Sequence, residues 1–539
     1  MIVTGSQVNP GDEIVGREEK KKGAERKVAV IGLDCVPPPL IFEKAGTDLE
    51  NLRTLMDHGT WGPMRSTDPP ITIPAWTTIT TGRDPGELGI YGFRNRLTQD
   101  YSEMVTVNSS HVKAPRVWDH VESTGRSSIL IGIPQTYPPI PHSGITVSGL
   151  PTPDLDRVYT YPTELADEIH VLAGRDYVTD VKDFRTNHKD RLLADLYKAV
   201  ESRFRIARDF LIHKPWHFFM MVEIATDRLH HGFWRYHARD HRLYVSGNPY
   251  ENVIDDFYRF LDRKLGSVLA LLSDDTTVIV VSDHGARSIR GGIAINEWLI
   301  SNGLLFLKHE PKGEVALTPD MVDWSRTKAW GEGGYYSRIF LNVVGREPSG
   351  TVEPSEYESF RDKLAHLMEG MLDQNGNPLG NLTLKPEQIY RACRNVPPDL
   401  IVYFDDLSRR SIGTVGTGQI FRAGNETGPD DANHDKDGIF IMARMADVRC
   451  GVRNGSRAEG VSCLDITPTI LHEYGIPIPN DLGGRVIRSD NLPSNCASTP
   501  IRAEYAPGND AGFKPSPCQG FSAEEEAIVK QRLADLGYM

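Results

Sequence analysis

Short apolar runs rich in β-branched residues recur along the chain, and amphipathic stretches lie between many of them. Lys27–Leu33 (KVAVIGL), Ser128–Ile133, His217–Val222, Thr277–Val281, Arg338–Val344, Asp399–Phe404 and Gly438–Ala443 read as buried strands. Apolar positions three and four apart predict helices over Arg191–Ile212, Asn252–Leu272, Tyr357–Leu372 and Asp465–Tyr474. This alternation predicts an α/β fold, a doubly wound and mostly parallel sheet with helices on both faces. Pro134–Asp190, rich in Pro, Gly, Asp and Tyr, breaks the pattern and is expected to form an inserted cap. Residues 1–25 read as a disordered leader, 26–490 as the main domain with its cap at about 134–190, and 491–539 as a C-terminal extension. That extension ends in a helix over Ala523–Leu536, with Ser522 as N-cap and Glu525 three residues on.

In open α/β sheets, ligands bind beyond the carboxyl ends of the strands. Asp34 directly follows the first strand, Asp283 and His284 follow Thr277–Val281, and Asp227 comes soon after His217–Val222. Three acidic positions are thus expected on one rim.

Composition narrows the function. The chain has 539 residues, 39% of them hydrophobic, and a formal net charge of −13. A net negative field argues against a nucleic-acid polymer as partner but permits a small phosphorylated substrate, which local charge can hold. The six cysteines have no paired close spacing, so they suggest neither a zinc knuckle nor a disulfide framework. Neither a secretory h-region nor an apolar run of roughly 18 residues is present, so the expectation is a cytoplasmic protein without a membrane partner. Oligomeric state is not legible.

The candidate chemistry lies in five segments, the first being the strand followed by Asp34. Thr72 precedes Pro74, a residue suited to a first helical turn, which puts its hydroxyl near a helix N-terminus. A simple capping role would also place a threonine there. Asp227 and His231 share a face if DRLHH is helical, with His230 as rival ligand. Asp283 and His284 end a buried strand, and His434 lies just ahead of another. Three carboxylates, three imidazoles and a hydroxyl suit two divalent cations flanking a nucleophile.

These segments, VAVIGLD (28–34), PPITIPAWTTITTG (69–82), DRLHH (227–231), VSDHG (281–285), NHDKDGIF (433–440) and DITPTIL (465–471), together resemble the alkaline phosphatase superfamily. Within it they are similar to the nucleotide pyrophosphatase/phosphodiesterase branch, including its predicted phosphohydrolases and phosphomutases. The resemblance implies two metal positions. One would be held by Asp227, His231 and His434, the other by Asp34, Asp283, His284 and the Thr72 oxygen. Zinc suits this ligand set, and manganese or iron is compatible with it. The resemblance further implies that Thr72 attacks phosphorus and carries a covalent phosphoryl group. Sulfatase relatives carry Cys or Ser at the nucleophile position and an arginine where Trp76 stands here. Family diesterases place a phosphate-holding asparagine where this chain has Phe93, so Arg94 and Asn95 are the expected substitutes.

The expected activity is therefore hydrolysis of phosphoric esters, with phosphodiesters or nucleotide pyrophosphates favoured. The alternatives are a phosphomonoesterase, a phosphotransferase or mutase on the same site, and a non-catalytic nucleotide-binding protein on the same scaffold.

Overall fold

The computed structural model describes residues 26–44, 48–102, 104–174, 177–424, 428–451, 453–488, 505–506 and 520–535. The expected leader, 1–25, lies outside the described residues, as does most of 489–519.

A ten-stranded sheet forms the centre of the molecule. Its parallel heart runs Thr276–Val281, Lys27–Leu33, Phe218–Glu223, Ser128–Ile131 and Gly144–Val147. The first strand shows why both faces are covered. Ala29, Ile31 and Leu33 point into one hydrophobic cluster, while Val28 and Val30 point into another. A run that is apolar at every position satisfies both layers at once. The helices Lys189–His213, Ala225–His237 and Val253–Leu269 contribute Leu196, Phe233 and Leu265 to the first layer. Thr72–Thr81 and Ile466–Glu473 contribute Trp76 and Ile470 to the second. The mostly parallel α/β sheet expected from the sequence is therefore present. Asp437–Arg444 joins it antiparallel, between Thr276–Val281 and Thr60–Arg65.

Two predicted strands do not join this sheet. Ser337–Leu341 and Leu400–Tyr403 form a separate antiparallel sheet with Ala329–Glu332 and Leu382–Leu384. A third core gathers Ile339, Leu341, Leu400 and Val402 beneath Leu364 and Met368 of the helix Tyr357–Glu369. This layer belongs to a long excursion, 289–431, that leaves the main fold at Ser288 and returns at Ala432. Those two residues are paired in the antiparallel ribbon Gly285–Ser288 with Ala432–Asp435.

The stretch expected to be wholly a cap, 134–190, has a mixed role. Gly144–Val147 and Thr160–Tyr161 extend the central sheet, and Asp180, Phe184 and Arg185 then reach back to the helix Ala225–His237 and the end of the excursion. The C-terminal helix, Ala523–Asp535, buries Val529 and Leu533 in the main core. Among the described residues no helix is long and apolar enough to cross a membrane.

Candidate metal centre

The ends of three adjacent strands are tied together at one rim. The Asp34 amide donates to the Glu223 carbonyl (3.0 Å), and the Thr226 hydroxyl donates to the Asp34 carbonyl (2.6 Å). Cys35 adopts a left-handed φ of 65°. This turn lets its amide donate to Asp283 Oδ1 (3.2 Å), while the next amide, Val36, donates to Ser282 Oγ (2.7 Å). Asp34, Asp283 and His284 are thereby brought to one place.

Thr72 is the first residue of the helix Thr72–Thr81, behind an extended Ile71 that makes no side-chain cap. Its hydroxyl lies 3.4 Å from His284 Nε2, at the helix end where first-turn amides lack intrahelical acceptors. One turn on, Trp76 Nε1 donates to Asp34 Oδ2 at 2.7 Å. Gly32 makes this approach possible, because a Cβ there would lie 2.4 Å from Trp76 Cη2.

Asp227 and His231 lie one turn apart on the helix Ala225–His237, which begins almost directly after its strand. His230 faces the other way. Its Nε2 meets the Tyr258 hydroxyl at 3.1 Å and its ring meets Trp234 edge-on. His434 comes from Ala432–Asp435 and sits opposite Ala286 in the ribbon, which stacks its ring on His284 with centroids 3.9 Å apart.

The structure brings all seven residues together, and their side chains are buried. Around His284 Nε2 lie Asp283 Oδ2 (3.2 Å), Asp34 Oδ1 (3.6 Å) and the Thr72 hydroxyl. Around Asp227 Oδ1 lie His231 Nε2 (3.3 Å) and His434 Nε2 (3.5 Å). Ligand atoms of Asp227, His231 and His434 fall within 4.8 Å of one another, as do those of Asp34, Asp227 and His284. Cys35, absent from the expected set, makes a similar group with His284 and His434.

Two observations fit this pocket to cations. Asp34 Oδ1, Asp227 Oδ1 and Asp283 Oδ2 are buried and accept no hydrogen bond from the described residues. Buried carboxylate oxygens left without a hydrogen bond are costly as anions, and a bound cation would offset that cost. In addition, each imidazole turns Nε2 inward and Nδ1 toward an acceptor. His231 Nδ1 faces Asp430 Oδ1 (2.8 Å), His284 Nδ1 the Gly285 carbonyl (3.2 Å), and His434 Nδ1 the Pro70 carbonyl (3.1 Å). A proton held on Nδ1 leaves the Nε2 lone pair for a metal.

The electrostatics follow from burial and crowding. Burial and the neighbouring carboxylates push Asp34 and Asp283 well above the ordinary carboxylate range. Burial would also raise Asp227, but His231 and Arg228 override it and hold Asp227 well below that range. Burial lowers His284 and His434 and favours their neutral, ligating form. His231 goes the other way. Burial would lower it, but Asp227 and Asp430 raise it to about 9.

The expected phosphate-binding pair, Arg94 and Asn95, forms a short strand against Val105–Thr106. Asn95 is buried with both ends of its amide closing a local turn, accepting from the Tyr91 amide (2.7 Å) and donating to the Gly92 carbonyl (2.9 Å). These bonds give Asn95 a structural task at the turn, beside any role toward substrate. Arg94 pairs with Glu332 at 3.2 Å. Several residues around the centre went unpredicted. Arg228 bonds Asp227 Oδ2 and grips Asp180 with two hydrogen bonds (2.9 and 2.8 Å). Tyr335 stacks on His434 and His231. Arg228 and Asp430 stand close to ligands in the chain, which is a usable signal, whereas nothing near Tyr335 marks it.

No curated protein sequence matches the chain. Murine ectonucleotide pyrophosphatase/phosphodiesterase 5, as an inactive threonine-to-alanine variant in complex with AMP, shares the fold at 14% identity. The match covers 87% of this chain and 98% of that one, with a TM-score of 0.50. Phosphonoacetate hydrolase from Sinorhizobium meliloti 1021, in complex with phosphonoformate, matches at 14% identity over 82% of this chain and 95% of that one, again with a TM-score of 0.50. The family description "Type I phosphodiesterase / nucleotide pyrophosphatase" matches residues 28–408, more than half of the chain. The chain therefore belongs to the type I phosphodiesterase/nucleotide pyrophosphatase family, the branch of phosphoric-ester-cleaving enzymes in the alkaline phosphatase superfamily that its motifs resemble.

Proposed function

We propose that this protein hydrolyses phosphodiesters or nucleotide pyrophosphates through a covalent phosphoryl group on Thr72, with two divalent cations, zinc favoured. The observation that carries the reading is the gathering of three buried carboxylate oxygens that accept no hydrogen bond, three imidazole Nε2 atoms and one buried threonine hydroxyl. Asp227, His231 and His434 would hold one cation, and Asp34, Asp283, His284 and the Thr72 oxygen the other. Bound there, the cations supply charge that acidifies a nearby hydroxyl and offsets the charge building on a phosphoryl group.

The chain's own residues do the rest. The helix N-terminus fixes the Thr72 oxygen and turns its first-turn amides toward an anion. That oxygen gives up its proton to solvent and bonds to phosphorus, while the P–O bond to the leaving group breaks and the leaving oxygen departs with its electron pair. A water oxygen then bonds to phosphorus, the bond from phosphorus to the Thr72 oxygen breaks, and a proton from that water restores the hydroxyl. Trp76 and Arg228 each hold one oxygen of a carboxylate so that the other points inward. A small phosphorylated substrate and a cytoplasmic setting belong to the same reading, and the exposed thiol of Cys393 suits a reducing compartment.

The test is Thr72→Ala assayed on matched aryl phosphate monoesters and diesters. Turnover should fall on the order of a thousandfold or more. Acid quenching of the wild type should trap phosphothreonine at position 72. Full turnover in the variant would end the covalent route. Elemental analysis should show Asp227→Asn losing one cation and Asp34→Asn the other.

A further inference from the structure

We propose that Asp430 is a positioning residue for His231, holding the imidazole with its proton on Nδ1 and its Nε2 turned to the centre. The inference rests on the metal-dependent reading above.

The three histidines differ in what they meet at Nδ1. His284 and His434 face backbone carbonyls, which are neutral acceptors. His231 faces a carboxylate, Asp430 Oδ1, at 2.8 Å, and both side chains are fully buried. A buried carboxylate survives as an anion only where donors surround it. Here Arg185 Nη2 donates to Oδ2 at 2.5 Å, the Tyr335 hydroxyl donates to the same oxygen at 3.1 Å, and Arg410 Nη1 stands 3.8 Å away. The Tyr335 ring also lies against the imidazoles, with centroids 5.0 Å from His231 and 4.3 Å from His434. Arg185 arrives from the 134–190 stretch, while Tyr335, Arg410 and Asp430 arrive from the 289–431 excursion. Two separate insertions thus spend buried polar groups on one carboxylate that itself faces a single imidazole. An anion behind the ring blocks its flipping and raises the basicity of the opposite nitrogen. The benefit falls on the Asp227 position alone, because the Asp34 position draws its imidazole from His284.

The test titrates metal-free full-length protein with zinc by calorimetry, beside Asp430→Asn, which keeps the shape and removes the charge. Wild type should bind two equivalents. The variant should bind one of them as wild type does and the other roughly 10- to 100-fold more weakly. Unchanged affinity for both equivalents in the folded variant overturns the role of Asp430 and leaves the metal-dependent reading standing. Equal weakening of both marks a general structural effect and also overturns the role. If wild type takes up no zinc, both readings fall. A second measurement needs no Asp430 variant. In zinc-loaded wild type carrying nitrogen-labelled histidine, the His231 signals, assigned by their loss in His231→Gln, should show a slowly exchanging proton on Nδ1. A proton on Nε2 would overturn the proposal.

Discussion

Trp76 Nε1 and Asp34 Oδ2 form a 2.7 Å hydrogen bond that occupies one carboxylate oxygen and leaves the other, Oδ1, facing His284 Nε2. The indole thus sets which lone pairs of Asp34 reach the centre. Trp76→Phe keeps an aromatic ring over Gly32 but removes the donor. Cation affinity at the Asp34 position should fall by about 10- to 100-fold, measured by metal titration with thermal melting as the control. Wild-type affinity in that variant would show that Asp34 needs no such guide.

Cation uptake should expel a proton. In the metal-free protein His231 is raised from an ordinary 6.5 to about 9. Its imidazolium therefore stabilises the fold fully below pH 6.5, and that contribution is lost as pH rises through about 9. A cation needs the neutral ring, so apparent affinity at the Asp227 position should climb with pH and level off above about 9. Calorimetry in buffers of different ionisation enthalpy should count about one proton released at this position near neutrality. No buffer dependence would contradict the assignment.

Arg228 separates two carboxylates, Asp227 and Asp180. Arg228→Met leaves both buried without their shared cation and should destabilise the metal-free protein by about 3–5 kcal/mol in denaturant unfolding. Adding Asp180→Leu should recover much of that loss. A double variant no better than the single one would mean that the pairing is incidental.

Asn95→Ala should act on stability and not on substrate. Losing the bonds to Tyr91 and Gly92 should cost about 1–3 kcal/mol, with KM for aryl diesters unchanged. A raised KM at wild-type stability would instead support the phosphate-binding role.

The parts of this architecture that were legible in advance are those set by local pattern. The apolar run Val28–Leu33 reads as a strand covered on both faces, and Asp227 with His231 needed only a helix to share a side. What was lost depends on information the pattern does not carry. Arg338–Val344 and Asp399–Phe404 look like any other buried strands, because apolarity records that a strand is covered and not which neighbour it pairs with. Irregular composition marked 134–190 as unusual, yet it could not reveal that two short strands there complete the sheet edge. Asn95 follows Gly92 closely, and the simpler reading of an asparagine near a turn glycine is that it closes the turn. Tyr335 reaches the centre only through the tertiary path of the excursion, which no local spacing encodes.

The excursion 289–431 begins and ends at paired neighbours, Ser288 and Ala432, just beside His284 and His434. A polypeptide detour whose two feet stand on the same rung can lengthen or shorten without prising His284 from His434, so long as Tyr335, Arg410 and Asp430 keep their places behind His231. The same rung therefore anchors both the strand that carries His434 and the segment that supplies the carboxylate behind His231.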